Sequence, residues 1–411
     1  MTKTQWLWRR VKSTLWMRVV LFAIIAVIVA LLAIFVPFKV SDTLAEHISA
    51  KVVDDILSLL AASMLSVTTF SLGVMLTSYT SAASLGTPRA TTLVMADQTT
   101  QNVLSVFIGV FIYSLVGIIA LSLGAYGPSG RVILFFVTIF VIVAIVVSLI
   151  RWIDRLSHLG RLQYTVARVE EAGTEAIRAR ARAPAMGART WSGDEPPKGA
   201  RAVVSTAIGF VQMIDMSELE EDAARCGVQL YVAVLPGDFV AYDTPLLYVL
   251  GDVGDVSDSN WIDHFVLADE RNFAQDPRFG LVVLSEIASR ALSPAVNDPG
   301  TAIDVLSRAV RLLAQWRRED GVEPEFLHLH APRIEARNLL EDVFRPIARD
   351  GAALIEVQLG LQRALRAVHQ CGGDDIKTAA IELSREALER SAEMTLPSER
   401  ALVAKAAAWS A

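Results

Sequence analysis

The sequence predicts an α+β membrane protein: a four-helix transmembrane bundle, then a small β-rich module, then a mainly helical cytosolic domain. Three observations carry that prediction. Hydrophobic residues make up 53% of the 411, and the excess is concentrated before residue 153. Residues 201–258 hold short runs of Val, Ile, Tyr and Phe, the composition of strands. From Trp261 onward, apolar residues recur at helical spacing. The boundaries are a basic N-terminal tail at 1–18, the four-span domain at 19–152, an amphipathic helix and linker at 153–200, the β-rich module at 201–258 and the helical domain at 259–411.

Each span follows from length and charge. A bilayer core needs about 20 apolar residues in a helix. Val19 to Phe38 is such a run, and so are Ile56 to Tyr79, about Val103 to Gly124, and Val132 to Ile150. The first run is longer than a signal-peptide core and three more follow, which disfavours a cleaved signal. Lys3, Arg9, Arg10, Lys12 and Arg18 precede span one, and Arg151, Arg155, Arg161 and Arg168 follow or close span four. The loop after span one has only Lys39 and Lys51, offset by Asp42, Glu46, Asp54 and Asp55, and the loop after span three has only Arg131. The bias places both termini on the cytoplasmic side of the membrane. Trp6, Trp8, Trp16 and Trp152 sit where interfacial anchors belong.

The four cores contain no Asp, Glu, His, Lys or Arg. Proton relays and coupled transporters place such groups at membrane depth, so a proton-driven pump is disfavoured. Span two is instead rich in hydroxyls. Ser66 is among them as a candidate pore or packing residue; Thr69, Gly73, Thr77 and Ser81 recur every four residues as one small ridge, and Ser105, Gly109 and Gly117 share one face of span three. Such residues let helices approach closely and bond across. Two readings stay open: a tight helix–helix seam, or an uncharged polar path through an oligomer. Between spans two and three, Gly86, Thr87 and Pro88 break the chain ahead of a helical elbow, and Gln98 to Asn102 lead into span three.

In the second half, Leu162 to Ala183 reads as an amphipathic helix and Pro184 to Lys198 as a linker. Ala202 to Ile214 and Val228 to Leu235 read as strands. Met216 to Gly227 lies between them as a helix that Ser217 can cap. Gly237, Asp238 and Val240 resemble the Gly-Asp-x-Val turn of biotinyl/lipoyl-type domains, with Asp243 where those domains often carry Gly. No lysine occurs between Lys198 and Lys377, which excludes both a carrier lysine and a P-loop there. Helices follow at Phe279–Leu292, at Pro299–Trp316 with Asp298 as N-cap, at Glu335–Arg349, Ala352–His369 and Ile376–Ser391, and at Ser398–Trp409. Leu327 to Leu329 reads as a short strand.

Three polar clusters bear on chemistry. The stretch RALSPAVNDPGTA, with Arg290, Ser293, Asn297, Asp298 and Thr301, is either a capped helix corner or an ion site at helix amides. The stretch DERNFAQDPRFG holds Arg271, Gln275 and Asp276, with Asp276 expected to pair with Arg290 or Arg271. His328 and His330 lie two apart, on one side of a strand, as only two metal ligands. No nucleophile elbow, HExxH or paired-carboxylate signature is present, and Cys226 and Cys371 form no CxxC. No metal site and no cofactor are expected. The net charge of −6, without a basic–aromatic stripe, argues against a nucleic-acid partner.

The order of these features is familiar. FSLGVMLTSYTSAASLGTPRA with VLSVFIGVFIYSL, then GFVQMID with VLPGDFV, QDPRFG and RALSPAVNDPGTAID together cover most of residues 59–310. On these motifs the chain resembles the bacterial predicted-membrane-protein family of domain-of-unknown-function 2254, with a less basic elbow after span two. The resemblance implies topology and architecture and carries no activity. The expected function is an oligomeric channel or passive transporter in the lipid bilayer, regulated by its cytosolic domain. The alternatives are a non-transporting sensor or scaffold, and an enzyme at the membrane surface with a cleft around Asp276, Arg290 and Asp298.

Overall fold

The computed structural model describes residues 15–35, 48–95, 97–193, 195–252, 256–316 and 323–410. The basic tail with Trp6 and Trp8, the end of span one at Phe38, and Lys39, Asp42 and Glu46 lie outside the described residues. The chain forms two compact units, one ending at Thr165 and one running from Val166 onward.

The first unit contains α1 (Leu15–Phe35), α2 (Ala50–Leu85), α3 (Pro88–Met95), α4 (Gln98–Ser122) and α5 (Pro128–His158). All but α3 are long and apolar enough to cross a membrane. Of the apolar window in α4, 56% is buried within the chain, against 33% in α2 and 17% in each of α1 and α5. Helix α4 is therefore the centre of the bundle, and α1, α2 and α5 pack around it. One core cluster joins Ala26, Ala30, Leu57, Tyr113 and Leu134. A second joins Met64, Phe107, Ile145 and Trp152.

Helix α2 extends further than its apolar run. Ser49 caps it by accepting from the Val52 amide at 3.3 Å, so the helix already includes Lys51, Asp54 and Asp55. Its 36 residues span about 54 Å at 1.5 Å each, well beyond a hydrocarbon core of about 30 Å. It stops at Gly86, and the Thr87 hydroxyl accepts from the Ala90 amide to start α3. Asp97 then caps α4, accepting from the Thr100 amide at 3.0 Å and its hydroxyl at 2.6 Å.

Helix α6 (Leu162–Arg182) opens the second half of the chain. The strands are β1 (Ala188–Thr190), β2 (Arg201–Val204), β3 (Gly209–Ile214), β4 (Gln229–Val232), β5 (Phe239–Val240), β6 (Pro245–Leu250), β7 (Phe265–Ala268) and β8 (Phe326–Ala331). They make a mixed five-stranded sheet in the order β1-β8-β4-β6-β2 and an antiparallel three-stranded sheet in the order β5-β3-β7. Helix α7 (Met216–Cys226) shares their core: Leu219 and Ala223 pack with Leu230, Leu247 and Leu329. The short helix α8 (Asp258–Ile262) precedes β7, and its Trp261 is buried in the same core. The remainder is a helical layer of α9 (Pro277–Ala291), α10 (Pro299–Leu313), α11 (Ala336–Asp350), α12 (Ile355–Cys371), α13 (Asp374–Arg390) and α14 (Pro397–Ala407).

Three local expectations are corrected. The stretch expected as one strand from Ala202 to Ile214 is two strands in different sheets, because the Ser205 hydroxyl closes a turn by accepting from the Ala207 amide at 3.3 Å. Asp215 caps α7 in place of Ser217, accepting from the Glu218 amide at 3.2 Å. The sheets also draw on residues outside 201–258: β1, β7 and β8 lie beyond it, and β8 is an interior strand between β1 and β4.

Candidate functional site

The small-residue positions separate into two groups. Ala62, Ser66, Thr69, Gly73, Thr77, Thr80 and Ser84 form a stripe of exposed residues along α2, turned away from the chain's own bundle. Their hydroxyls bond back to their own helix: Ser66 to the Ala62 carbonyl at 3.1 Å, Thr69 to Leu65 at 2.9 Å and Thr77 to Gly73 at 3.0 Å. A hydroxyl bonded in this way presents little unmet polarity to lipid. A Cβ built at Gly73 meets nothing within 4 Å. Ser81 leaves the stripe; it is half-buried and lies beside Gly160.

Ser105 and Gly109 face inward. Ser105 is fully buried and donates to the Gln101 carbonyl at 2.7 Å. Gly109 lets α4 close on α1, since an added Cβ would sit 3.4 Å from the Phe22 side chain and carbonyl. These two positions make a seam within the chain, whereas the α2 stripe does not.

A polar clamp with no local signal in the sequence lies at the N-terminal end of α4, joining residues far apart in the chain. Asp97 is buried and takes both guanidinium arms of Arg155 from α5, with Arg155 Nε at 2.9 Å. Arg155 also donates to the Tyr164 hydroxyl. From α1, Arg18 donates to Asn102 Oδ1 at 2.7 Å. The clamp fixes α1, α4 and α5 together at the ends of their apolar spans, where charge costs less than at the bilayer centre.

In the C-terminal unit, Arg271, Gln275 and Asp276 converge. Asp276 is 2% exposed, caps α9 through the amides of Arg278 and Phe279, and pairs with Arg271 at 2.7 Å. Gln275 brackets the backbone of Ile214 in β3, accepting from its amide at 3.1 Å. Gly237 presses against the Asp276 carboxylate so closely that a Cβ there would overlap it. The PGDF turn and the QDPRFG stretch are thus two sides of one contact. Arg180 of α6 completes it, donating to the Gln275 carbonyl at 3.1 Å. Burial pushes the Arg180 guanidinium down to about 10, against the pull of Asp276 and Asp238. Burial likewise pushes the Asp276 carboxyl up, opposed by Arg271 and the two amides. Arg278 adds a bidentate pair to Asp342 of α11 at 2.7 and 2.9 Å. Arg180 had a signal in the sequence: it continues the apolar stripe Val166, Val169, Gly173, Ile177, where an exposed arginine does not belong.

Arg290, Ser293, Asn297, Asp298 and Thr301 form a separate corner at the other end of α9. Asp298 caps α10, accepting from the Thr301 amide at 3.1 Å and its hydroxyl at 2.6 Å. These bonds hold its carboxyl below the usual carboxylate range. Asn297 adopts a left-handed φ of 49° to make the corner, a conformation asparagine tolerates better than most residues. Ser293 donates to the Arg290 carbonyl at 2.7 Å. Arg290 lies in the last turn of the helix that Asp276 begins, about 20 Å along its axis. Asp276 therefore pairs with Arg271, and the alternative partner Arg290 is out of reach. Asp276 begins α9 and Asp298 follows its end, so the two carboxylates stand at opposite ends of that helix.

His328 Nδ1 lies 2.8 Å from Glu220 Oε1, and His330 stacks on Tyr231 while its Nε2 meets Gln229 at 3.1 Å. Among the described residues no three His, Cys, Asp or Glu side chains converge as a metal site.

Comparison with known proteins agrees with the four apolar helices. Over 227 residues the chain is 30% identical to the uncharacterized protein MT1328 of Mycobacterium tuberculosis (strain CDC 1551 / Oshkosh). The uncharacterized protein Mb1321c of Mycobacterium bovis is similar to the same extent. The alignments cover 52% of this chain and 44% of each relative, so the chain spans less than half the length of the curated relatives it matches. No solved structure matches it. The profile of one family, described as predicted membrane protein of domain-of-unknown-function 2254, matches residues 12–367. The chain belongs to that family.

Proposed function

We propose that the protein is an oligomeric, passive conductance of the bacterial inner membrane, with both termini in the cytoplasm and the C-terminal unit as its regulator. The observation that supports this reading is the exposed stripe of α2. Seven small or hydroxyl residues at spacings of four and three face outward, flanked by exposed Leu65, Phe70, Leu72 and Leu76. Among the described residues of a single copy this stripe stays exposed; neighbouring copies around an axis would cover it. Gly73 would give the closest approach, and the Ser and Thr hydroxyls an uncharged polar wall. The absence of acidic or basic residues from the four apolar runs suits passive flux rather than proton coupling.

The test is reconstitution of the purified chain in liposomes, with ion, water and small-solute flux followed under osmotic and tension steps. Flux above empty liposomes that falls when Thr69 and Thr77 become Leu is the expected result. Flux equal to empty liposomes under every condition overturns the reading and leaves a membrane-anchored scaffold.

A further inference from the structure

The five-stranded sheet has an aromatic row on the face turned away from its core. Strand register brings Arg189, His330, Tyr231, Tyr248 and Ala202 side by side across β1, β8, β4, β6 and β2. Trp191, whose backbone N–H donates to the Ala331 carbonyl at 3.0 Å, reaches back over this row. Its ring centroid is 5.6 Å from Tyr231 and 6.0 Å from Tyr248, nearly perpendicular to both at 80° and 84°. His330 lies parallel to Tyr231 at 4.2 Å.

Cross-strand aromatic pairs commonly stabilise a sheet face, but this row differs in two respects. None of Trp191, Tyr231 and Tyr248 belongs to the apolar core cluster, and all three are half-buried. Beside them, the exposed Arg189 has no ion-pair partner among the described residues. Burial and the Arg189 charge together hold His330 below its ordinary value, so the positive charge at this end belongs to Arg189. Gln229 and His330 are bonded to each other, which leaves the guanidinium as the polar group with capacity to spare. His330 already stacks on Tyr231, so the half-buried Trp191 and the neighbouring cation are the pair that match a flat ring carrying an anionic tail. Aromatic side chains stack on any nucleobase, and a guanidinium binds phosphate through a fork of donors.

We propose that this face is a nucleotide site, with the base against Trp191 and the phosphate on Arg189. It assigns the C-terminal unit a small-molecule ligand and stands apart from the conductance reading: either can fail without the other.

The test is equilibrium dialysis of the full chain in detergent against ATP, GTP, AMP and adenosine, with chitotriose as a non-nucleotide control. Saturable nucleotide binding is expected. Trp191→Ala should weaken it by about tenfold or more, and Trp191→Phe, which keeps an aromatic ring, should weaken it less. Arg189→Gln, an exposed change, should weaken AMP and ATP while leaving adenosine unaltered. No saturable binding of any nucleotide at millimolar concentration overturns the proposal, as does unchanged binding in Trp191→Ala. Binding of chitotriose in preference to the nucleotides overturns the ligand class.

Discussion

Asp276 and Arg180 share one buried cluster, yet removing them should have different consequences. Asp276 neutralises Arg271 and caps α9. Its replacement by Ala leaves buried guanidinium charge without a partner, which costs about 3 kcal/mol or more. Arg180 is almost fully buried, its Nη1 has no bonding partner, and its other arm has only a backbone carbonyl. Arg180→Met keeps most of the volume and removes a poorly compensated charge, so stability should stay within about 1 kcal/mol of the parent. Thermal unfolding followed by tryptophan fluorescence checks both; equal losses would show that Arg180 is better compensated than its geometry indicates. Asp298 provides a pH test. Its carboxyl lies below its ordinary value in the folded chain. Its contribution is therefore present above the ordinary carboxylate value, about 3.9, and is lost as pH falls through the depressed folded value. Asp298→Ala should cost about 1 kcal/mol at neutral pH, and the gap to the parent should close as the solution is acidified. Asp243 makes a related point. It has a left-handed φ of 63°, which is why the position suits Gly in similar turns and tolerates Asp here.

Among the elements, α2 and α4 use glycine in opposite ways. Gly109 of α4 faces Phe22 of α1 at contact distance, while Gly73 of α2 faces open space within the chain. Gly109→Leu should separate α1 from α4 and lower the yield of folded protein. Gly73→Leu should leave the single copy intact and remove the proposed assembly, seen as a shift to monomer in native mass spectrometry from detergent. A folded Gly73→Leu protein with unchanged subunit number would place the copy-to-copy contact elsewhere. In the C-terminal unit, α6 crosses α9 at Gly173 and Gly280, where a Cβ on Gly280 would lie 2.7 Å from the Gly173 Cα. The glycine of QDPRFG is therefore a helix-crossing residue, and its aspartate two motif positions before Arg278 is the cap that starts the same helix.

For the whole molecule, the arrangement proposed for the termini is testable with the protein's own thiols. Cys371 is exposed and Cys226 half-buried. In a Cys226→Ser background, a membrane-impermeant maleimide should label Cys371 in inverted vesicles and not in intact spheroplasts. Labelling in spheroplasts would reverse the orientation inferred from Lys and Arg.

Much of the architecture was legible in the sequence, for identifiable reasons. Four apolar runs, the Asp298–Pro299 helix start and the break at Gly86 are local signals: run length, a cap and a missing amide hydrogen act within a few residues. The direction in which a stripe faces is not local. Thr69, Gly73 and Thr77 have the spacing of a seam, as Ser105 and Gly109 do, but only the packing of α4 against α1 and α2 shows that one set is inside and the other outside. The choice of Arg271 over Arg290 for Asp276, the entry of β8 between β1 and β4, and the meeting of Trp191 with Tyr231 and Tyr248 likewise join residues far apart in the chain. The sequence by itself determined most of the helices, the Asp298 cap and the family. The tertiary structure decided which polar residues share a neighbourhood, because that depends on long-range packing and strand register rather than on any spacing along the chain.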